Sequence, residues 1–311
     1  MTKLFAFARA AMPTAAALCA AMSCAAIPGA AAAQTPAANP MPDGSHDMYA
    51  GLGALSTPRY EGAAEREQRA LPVFQFQWSN GIFVSGLSAG IHMGRTPSLE
   101  FGPLVEVQPR RDGDGNSGVA DGIEATGFSL RSEADDDATK LPAGIAAVLP
   151  ASLSGNRLAG MAEIHSRLQG GAFLNLYLSP QWRLTSRALY GAGNARHGAR
   201  LDLGLQRLAL QVGARHQVTL GAGLTLVSRS HNAAFFGVGA EDSLNSGNPM
   251  YAPGGGLKDV HLGARWNWTL APGWIVTSHA QASRLQGDAR RSPLVERPTS
   301  LTVSTAIAYR F

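Results

Sequence analysis

Apolar and polar residues alternate along the chain from residue 46 onward. In the last segment, odd positions from Leu301 to Phe311 are apolar, aromatic or threonine, whereas even positions from Thr302 to Arg310 are small or polar. Segments 218–226 and 260–270 repeat this pattern. A period of two over about ten residues is typical of β-strands with one apolar and one polar face. We therefore predict an all-β fold in which each strand turns its apolar face to an apolar environment.

The alternation changes phase once within a single segment. Apolar residues occupy odd positions from Leu201 to Leu205 but even positions from Leu208 to Val212. One extra residue in a strand produces such a slip, because every later side chain then points to the opposite face. We predict a β-bulge near Gln206.

Two classes of connection alternate between these segments. Five short ones are rich in glycine, proline or asparagine and lie at 80–81, 112–118, 179–180, 213–216 and 271–273. Six others, mostly longer and polar, lie at 57–70, 91–98, 132–158, 193–199, 230–256 and 288–297. These connections predict about 12 strands, with 10 as the alternative. Short turns at one end, longer loops at the other and an even strand count are typical of a transmembrane antiparallel β-barrel of the bacterial outer membrane.

Aromatic residues cluster beside the short connections. The set comprises Trp78, Trp182, Trp266, Trp268, Trp274, Phe83, Tyr177, Tyr309 and Phe311. A ring of amphipathic aromatic side chains at one level is typical of the girdle that contacts lipid headgroups. We predict that these residues form that girdle and that outer-membrane lipid surrounds the barrel.

The chain ends on an aromatic residue with a second aromatic two positions earlier. Tyr309 and Phe311 therefore share one face of the last strand. The pair resembles the C-terminal strand signature read by the outer-membrane barrel assembly machinery. We assign both residues to an assembly signal, with that machinery as a partner.

The N-terminal region has the composition of an export signal. A basic start and an alanine-rich stretch precede a predicted cleavage site between Ala33 and Gln34. The predicted domains are a signal peptide (1–33), a flexible periplasmic leader (34–46) and the barrel (47–311). The chain is thus expected to be exported to the cell outer membrane of a Gram-negative bacterium.

Composition excludes other classes. Charged residues make up 15% of the chain, against roughly 25% in soluble domains. Apart from the alanine-rich start, no segment offers the roughly 18 consecutive apolar residues of a spanning helix, which excludes a polytopic helical transporter. The 26 basic and 22 acidic residues nearly balance, so we expect no nucleic-acid partner.

Five basic or imidazole side chains occupy the polar face of predicted strands. They are Arg183, Arg187, His261, Arg265 and His279. Such side chains could line the lumen of a small pore, since a 12-strand barrel is narrow enough for side chains to fill it. A barrel plugged by the same side chains remains the alternative.

Catalytic and cofactor sites are not expected. His231, Asp242 and Ser243 share one loop, but their spacing does not place a nucleophile beside a base. The histidines show no recurring spacing of metal ligands. We therefore predict a protein that is not an enzyme and holds no cofactor or metal.

Several motifs together resemble the MipA/OmpV family. They are the segments 51–62 (GLGALSTPRYEG), 71–74 (LPVF), 235–238 (FFGV), 251–259 (YAPGGGLKD), and 284–288 (RLQGD) with the Ser-Pro pair at 292–293. The resemblance implies an outer-membrane barrel and supplies no catalytic residues. Its namesake is a scaffold that joins a membrane-bound lytic transglycosylase to a bifunctional murein synthase. The stretch 113–158 departs from the family by its length, which is why 10 strands remain an alternative.

The functional expectation follows from the resemblance. We expect a non-catalytic scaffold for murein-synthesising and murein-hydrolysing enzymes, which contributes to peptidoglycan biosynthesis and envelope organisation. A small pore is the first alternative. The second is a surface-exposed, adhesin-like or antigenic protein, since other family members are known as outer-membrane antigens.

Overall fold

The computed structural model describes residues 46–96, 98–117, 156–212 and 214–311. The predicted signal peptide, its cleavage site between Ala33 and Gln34, and the leader as far as residue 45 lie outside these residues. The predicted strand 119–131 also lies outside them. Within the described residues, no helix is long and apolar enough to cross a membrane.

Strands account for most of the described chain. They are β1 (His46–Pro58), β2 (Arg66–Trp78), β3 (Ile82–Ser85), β4 (Ser88–Ile91), β5 (Gly94–Thr96), β6 (Leu99–Gln108), β7 (Arg110–Asp112), β8 (Gly115–Ser117), β9 (Arg167–Ser179), β10 (Trp182–Ala192), β11 (Gly198–Gln211), β12 (His216–Val227), β13 (Gly256–Ala271), β14 (Trp274–Leu285) and β15 (Thr299–Arg310). The helices are α1 (Arg229–Phe236), α2 (Ala240–Ser246) and α3 (Gly287–Arg291).

Twelve antiparallel strands form one closed ring. The ring runs β1, β2, β3, β4–β5, β6 and then β9 to β15. The short strands β4 and β5 both pair with β6 and act as two halves of one interrupted strand. The first and last strands close the ring, from Tyr49 opposite Arg310 to Ser56 opposite Val303. The predicted 12-strand barrel is confirmed.

The two ends of the barrel differ in their connections. At the turn end, the described connections are 79–81, 98, 180–181, 212, 214–215 and 272–273. At the loop end, the described connections are 59–65, 86–87, 109–117, 156–166, 193–197, 228–255 and 286–298. Both described chain ends lie at the turn end, where the Phe311 amide donates a hydrogen bond to the Met48 carbonyl.

The two connections predicted at 91–98 and 112–118 lie at the wrong ends of the barrel. Segment 91–98 was expected to be a loop at the loop end, but it holds the end of β4, all of β5 and a short turn at the turn end. Segment 112–118 was expected to be a turn at the turn end, but residues 112–117 belong to the β7–β8 hairpin, which lies outside the ring at the loop end. Among the described strands, β6 pairs directly with β9.

Glycine and proline explain this irregular part of the wall. Gly86 has φ of 53°, a left-handed conformation that favours glycine, and it turns the chain back after only four residues of β3. Pro72 on β2 and Pro103 on β6 lie in the two strands that flank this hairpin, and neither has a backbone N–H to donate. The ladder of β6 is interrupted at Pro103, between β4 and β5.

The two faces of the sheet separate apolar from polar side chains. On the outer face, Leu52 is 70% and Leu262 is 65% exposed, as suits contact with lipid. On the inner face of β15, Ser304 and Ala308 are buried. The predicted bulge in β11 is confirmed, since its register with β12 shifts between Arg207 and Leu210.

Most of the predicted aromatic girdle lies on the outer face at the turn end. Trp266 and Trp268 stack on each other and on His216, with ring centroids 5.7 to 6.0 Å apart. Trp274 lies 5.1 Å from Tyr309. The girdle prediction is wrong for Phe83 and Tyr177, because both line a cavity on the inner face. Both residues lie near a short turn, but their strand phase points them inward.

Loops at the loop end fold into a cap with its own apolar clusters. One cluster contains Tyr60, Ala63, Leu158, Met161, Val238 and Leu294. The other contains Phe236, Leu285 and Ala289. Near the loop ends of β12 and β13, Thr225 is 2% and Lys258 is 3% exposed. The cap therefore covers this part of the lumen.

Candidate functional site

The five singled-out basic and imidazole side chains occupy three strands. Arg183 and Arg187 lie on β10, His261 and Arg265 on β13, and His279 on β14. Arg183, Arg265 and His279 are 8%, 3% and 4% exposed. All of them except Arg265 line a cavity of about 260 Å³ inside the barrel.

Arg187 links two carboxylates across the lumen wall. Its Nη1 lies 2.7 Å from Glu106 Oε2, and its Nη2 lies 3.1 Å from Asp202 Oδ2. Asp202 also accepts from Arg200 Nε at 2.9 Å and from the Thr225 hydroxyl at 3.0 Å. The charges in this part of the lumen are therefore paired, with hydrogen bonds between β6, β10, β11 and β12.

A glycine makes the contact between Arg187 and Glu106 possible. On the intervening strand β9, Arg187 is opposite Phe173 and Glu106 is opposite Gln169. The position between these two on the inner face is Gly171, so no side chain stands in the way. A Cβ there would lie 1.9 Å from the Ala188 carbonyl oxygen. Only glycine fits.

A second charged group surrounds Lys258 near the loop end. Lys258 Nζ lies 2.6 Å from Glu61 Oε1 and 3.4 Å from Asp259 Oδ2. Asp259 Oδ1 in turn lies 3.0 Å from His261 Nδ1 and 3.3 Å from the Thr225 hydroxyl. Because Glu61 comes from a loop and Lys258 from β13, this ion pair ties the cap to the barrel.

The lumen contains a second cavity near these residues. Its volume is about 160 Å³. The two cavities share four lining residues, namely Asp202, His261, His279 and Gln281. A polar path thus follows the lumen, narrowed where the salt bridges of Arg187 and Lys258 cross it.

The larger cavity combines an aromatic wall with polar groups. Phe173 lies 5.7 Å from Phe83 and 5.2 Å from His92, measured between ring centroids. Glu100 Oε1 lies 2.7 Å from His92 Nδ1, and its Oε2 accepts from Asn175 at 2.9 Å. These groups surround the space beside Arg183.

Arg183 is held in place by an amide and a phenol. Its Nε and Nη2 donate to Gln206 Oε1 at 3.1 and 2.6 Å. Its Nη1 donates to the Tyr177 hydroxyl at 3.3 Å, and its guanidinium lies 5.7 Å from the centre of the Tyr177 ring. The side chain is therefore fixed at the edge of the cavity.

The cap holds three ionisable groups whose pKa burial changes. Burial lowers the pKa of His231 to about 2, and the positive charges of Lys258 and Arg200 add to this effect. Burial raises the pKa of Tyr60, and the charge of Glu296 raises it further. Burial lowers the pKa of Arg111 to about 10. Each group is therefore held inside the cap.

His231, Asp242 and Ser243, which were weighed as catalytic candidates because they share one loop, lie within the cap. Asp242 accepts hydrogen bonds from the backbone amides of Gly239 and Ala162 at 3.3 and 2.8 Å. The Ser243 hydroxyl donates to the Asn248 carbonyl at 2.7 Å. His231 lies on α1 and is 6% exposed. Asp242 and Ser243 therefore stabilise cap loops.

Sequence reasoning missed the acidic and aromatic members of the site. Glu106 and Asp202 pair with Arg187, while Phe83 and Phe173 form the aromatic wall. The signal for Asp202 was present, because it alternates with the outward Leu201 and Leu203. Partners on other strands could not be assigned without the register.

The closed ring, its apolar outer face and its aromatic girdle define an integral β-barrel protein of the bacterial outer membrane. Within that class, the chain belongs to the MipA family, described as "MltA-interacting protein MipA", which matches residues 50–311. No curated protein matches the sequence.

Solved outer-membrane channels resemble the chain only distantly. The NanC porin has 9% identity and a TM-score of 0.41, with 86% of this chain and 100% of that chain covered. The KdgM porin has 7% identity and a TM-score of 0.33, with 86% and 99% covered. The channel DcaP of Acinetobacter baumannii has 7% identity and a TM-score of 0.34, with 86% and 96% covered.

Proposed function

We propose that this barrel is a non-catalytic scaffold that binds murein-modifying enzymes at the outer membrane. The observation that carries the proposal is the family match over residues 50–311, because the family description names an MltA-interacting protein. A lytic transglycosylase is therefore the first expected partner. A bifunctional murein synthase is the second, from the resemblance of the sequence motifs.

The arrangement of the lumen supports a role through surface contact. Arg187 is paired with Glu106 and Asp202, and Lys258 is paired with Glu61. Paired charges that cross a narrow lumen oppose ion passage, because an ion must break them to go through. The cap adds a second barrier at the loop end.

The turn end is the proposed docking side. Murein lies in the periplasm, and barrels of this class direct their short turns there. The turn between β9 and β10 presents the exposed Gln181 beside Trp182. The loop end presents the exposed Arg196 in the connection 193–197. These two sites permit a matched comparison.

The test places a photo-crosslinking amino acid at Gln181 or at Arg196 of the full chain in intact envelopes. Mass spectrometry then identifies the attached proteins. The proposal expects a lytic transglycosylase or a murein synthase at Gln181 and neither at Arg196. Capture of these enzymes only at Arg196, or at neither position, would contradict it.

A small pore is the second candidate function. It is favoured by the two cavities that share Asp202, His261, His279 and Gln281 along the lumen. Opening such a path requires movement of the Arg187 and Lys258 ion pairs. Electrical recordings in planar bilayers separate this candidate from the scaffold.

A further inference from the structure

The cavity of about 260 Å³ reaches close to the turn end of the barrel. Its lining includes Gln77, Phe83, Tyr177 and Arg183, which lie beside the short turns at 79–81 and 180–181. The cap covers the opposite end of the lumen. We call this cavity the chamber.

One wall of the chamber is aromatic. Phe83 and Phe173 meet edge to face at 5.7 Å. Glycines make room for these rings, since a Cβ at Gly90 would lie 2.6 Å from the Phe83 ring and one at Gly102 would lie 3.3 Å from the Phe173 ring. Aromatic faces of this kind stack against the apolar C–H face of a sugar ring.

The rest of the chamber is rich in amides and hydroxyls. The amides are Gln75, Gln77, Asn175, Gln206 and Gln281, and the hydroxyls are Ser85, Ser88, Tyr177 and Thr185. An amide group contains both a donor and an acceptor, and a hydroxyl group can do either. Ligand hydroxyls need this mixture, because each of them both donates and accepts.

Ser85 independently indicates that the chamber receives a ligand. Its side chain is on the inner face and lines the chamber, and the residue is 8% exposed. Its Oγ is buried and has no hydrogen-bond partner among the described residues. A buried polar atom without a partner is costly, so such atoms are expected to meet water or a ligand.

The charges around the chamber balance. Glu100 and Asp202 oppose Arg183 and Arg187, so these four lining residues carry no net charge. Glu100 contacts His92 and Asp202 contacts Arg187. This balance favours a neutral ligand over an anion or a cation.

We infer that the chamber binds a neutral saccharide of one or two rings. The apolar ring face lies on Phe83 and Phe173, and the hydroxyls meet Ser85 and the amides. The chamber has a volume of about 260 Å³. This binding is independent of the scaffold role, since it uses the lumen and not the outer surface.

The test is calorimetric titration of the full-length barrel in a detergent that has no sugar headgroup. The probes are N-acetylglucosamine, its β-1,4 dimer, cationic glucosamine and anionic glucuronate. We expect saturable binding of at least one neutral probe and weaker binding of both charged monosaccharides. No saturable binding of either neutral probe would overturn the inference, as would tighter binding of a charged one.

A matched pair of variants tests the aromatic wall. Phe173→Leu removes a ring that lines the chamber, whereas Phe101→Leu removes a ring exposed on the outer face of the adjacent strand. Loss of one stacking contact weakens binding by roughly two- to ten-fold. We expect this loss in Phe173→Leu and in Ser85→Ala but not in Phe101→Leu. Heat-modifiable gel mobility checks that both phenylalanine variants are folded. An equal loss of affinity in folded Phe173→Leu and folded Phe101→Leu would refute binding in the chamber.

Discussion

Arginine at Val303 is predicted to destabilise the barrel because the charge would face lipid. Val303 is on the outer face of β15 and 37% exposed. Its neighbours in register are Ser56 on β1 and Ala280 on β14. Neither neighbour carries a charge that could pair with an arginine.

The magnitude follows from the position of Val303 along the strand. β15 runs from Thr299 to Arg310, so its centre lies between Ser304 and Thr305. Each residue of a strand tilted by about 40° advances roughly 2.6 Å along the membrane normal. Val303 is thus about 4 Å from the strand centre, well inside an apolar band about 25 Å tall. An arginine there costs about 2–4 kcal/mol.

Thr302→Arg is the matched control on the same strand. Thr302 faces inward, lines the smaller cavity with Glu67, and shares a hydrogen bond of 3.3 Å with Thr57. Loss of that hydrogen bond costs about 1 kcal/mol, and the new arginine meets a polar, charged lining instead of lipid. Urea unfolding of both variants in matched bilayers measures the difference. If Thr302→Arg costs as much as Val303→Arg, or more, the assignment of the two faces is refuted.

Three further changes have defined outcomes. Phe311→Ser should lower the amount of heat-modifiable barrel in the outer membrane while Phe311→Tyr should not, because the final aromatic belongs to the predicted assembly signal; equal amounts in both would count against it. Glu106→Gln should lower the free energy of unfolding in urea by less than Arg187→Gln does. Arg187→Gln leaves two carboxylates without their shared cation, which lowers the free energy of unfolding by about 3–5 kcal/mol. The reverse order would refute the pairing. The pKa of His231 is about 2 in the closed cap, against about 6.5 when exposed, so the open cap binds more protons at any pH between these two pKa values. The stability of the cap should therefore be full above about pH 6.5 and fall as pH decreases. Hydrogen exchange in α1, corrected for intrinsic rates, measures this fall, which should be absent in His231→Gln.

The alternation of apolar and polar residues was enough to predict much of the fold. It was enough to assign Thr302 inward and Val303 outward, because β15 is long and regular. It failed for β3 and β4, since a strand of four residues is too short to show a period. Pro72 and Pro103 were local signals of this irregular wall, although their meaning depends on which strand lies beside them.

Packing across the lumen could not be read from one strand. Ser304 has the phase of an inward polar residue and suggests a tolerant site. It is only 3% exposed, and it lies opposite His279 on β14. An arginine at Ser304 would therefore overfill the interior. The alternation along a strand shows that a side chain points into the lumen. The space available to that side chain depends on neighbours that are distant in sequence.

The same limit applies to the charged site. Arg187 and Glu106 are 81 positions apart and meet only because β9 lies between their strands with Gly171 on the inner face. The sequence could place each side chain inside the barrel. It could not show that the arginine has two acidic partners, so an open polar path and a closed network were equally consistent with the pattern.

A closed lumen separates a barrel that acts through surface contact from a pore. Planar-bilayer recording of the purified full-length protein measures whether the lumen conducts. We expect no steady conductance steps at neutral pH. We expect steps to emerge when both Arg187 and Lys258 are replaced by alanine. Stable, frequent openings of the unaltered protein would contradict the closed lumen and favour the pore.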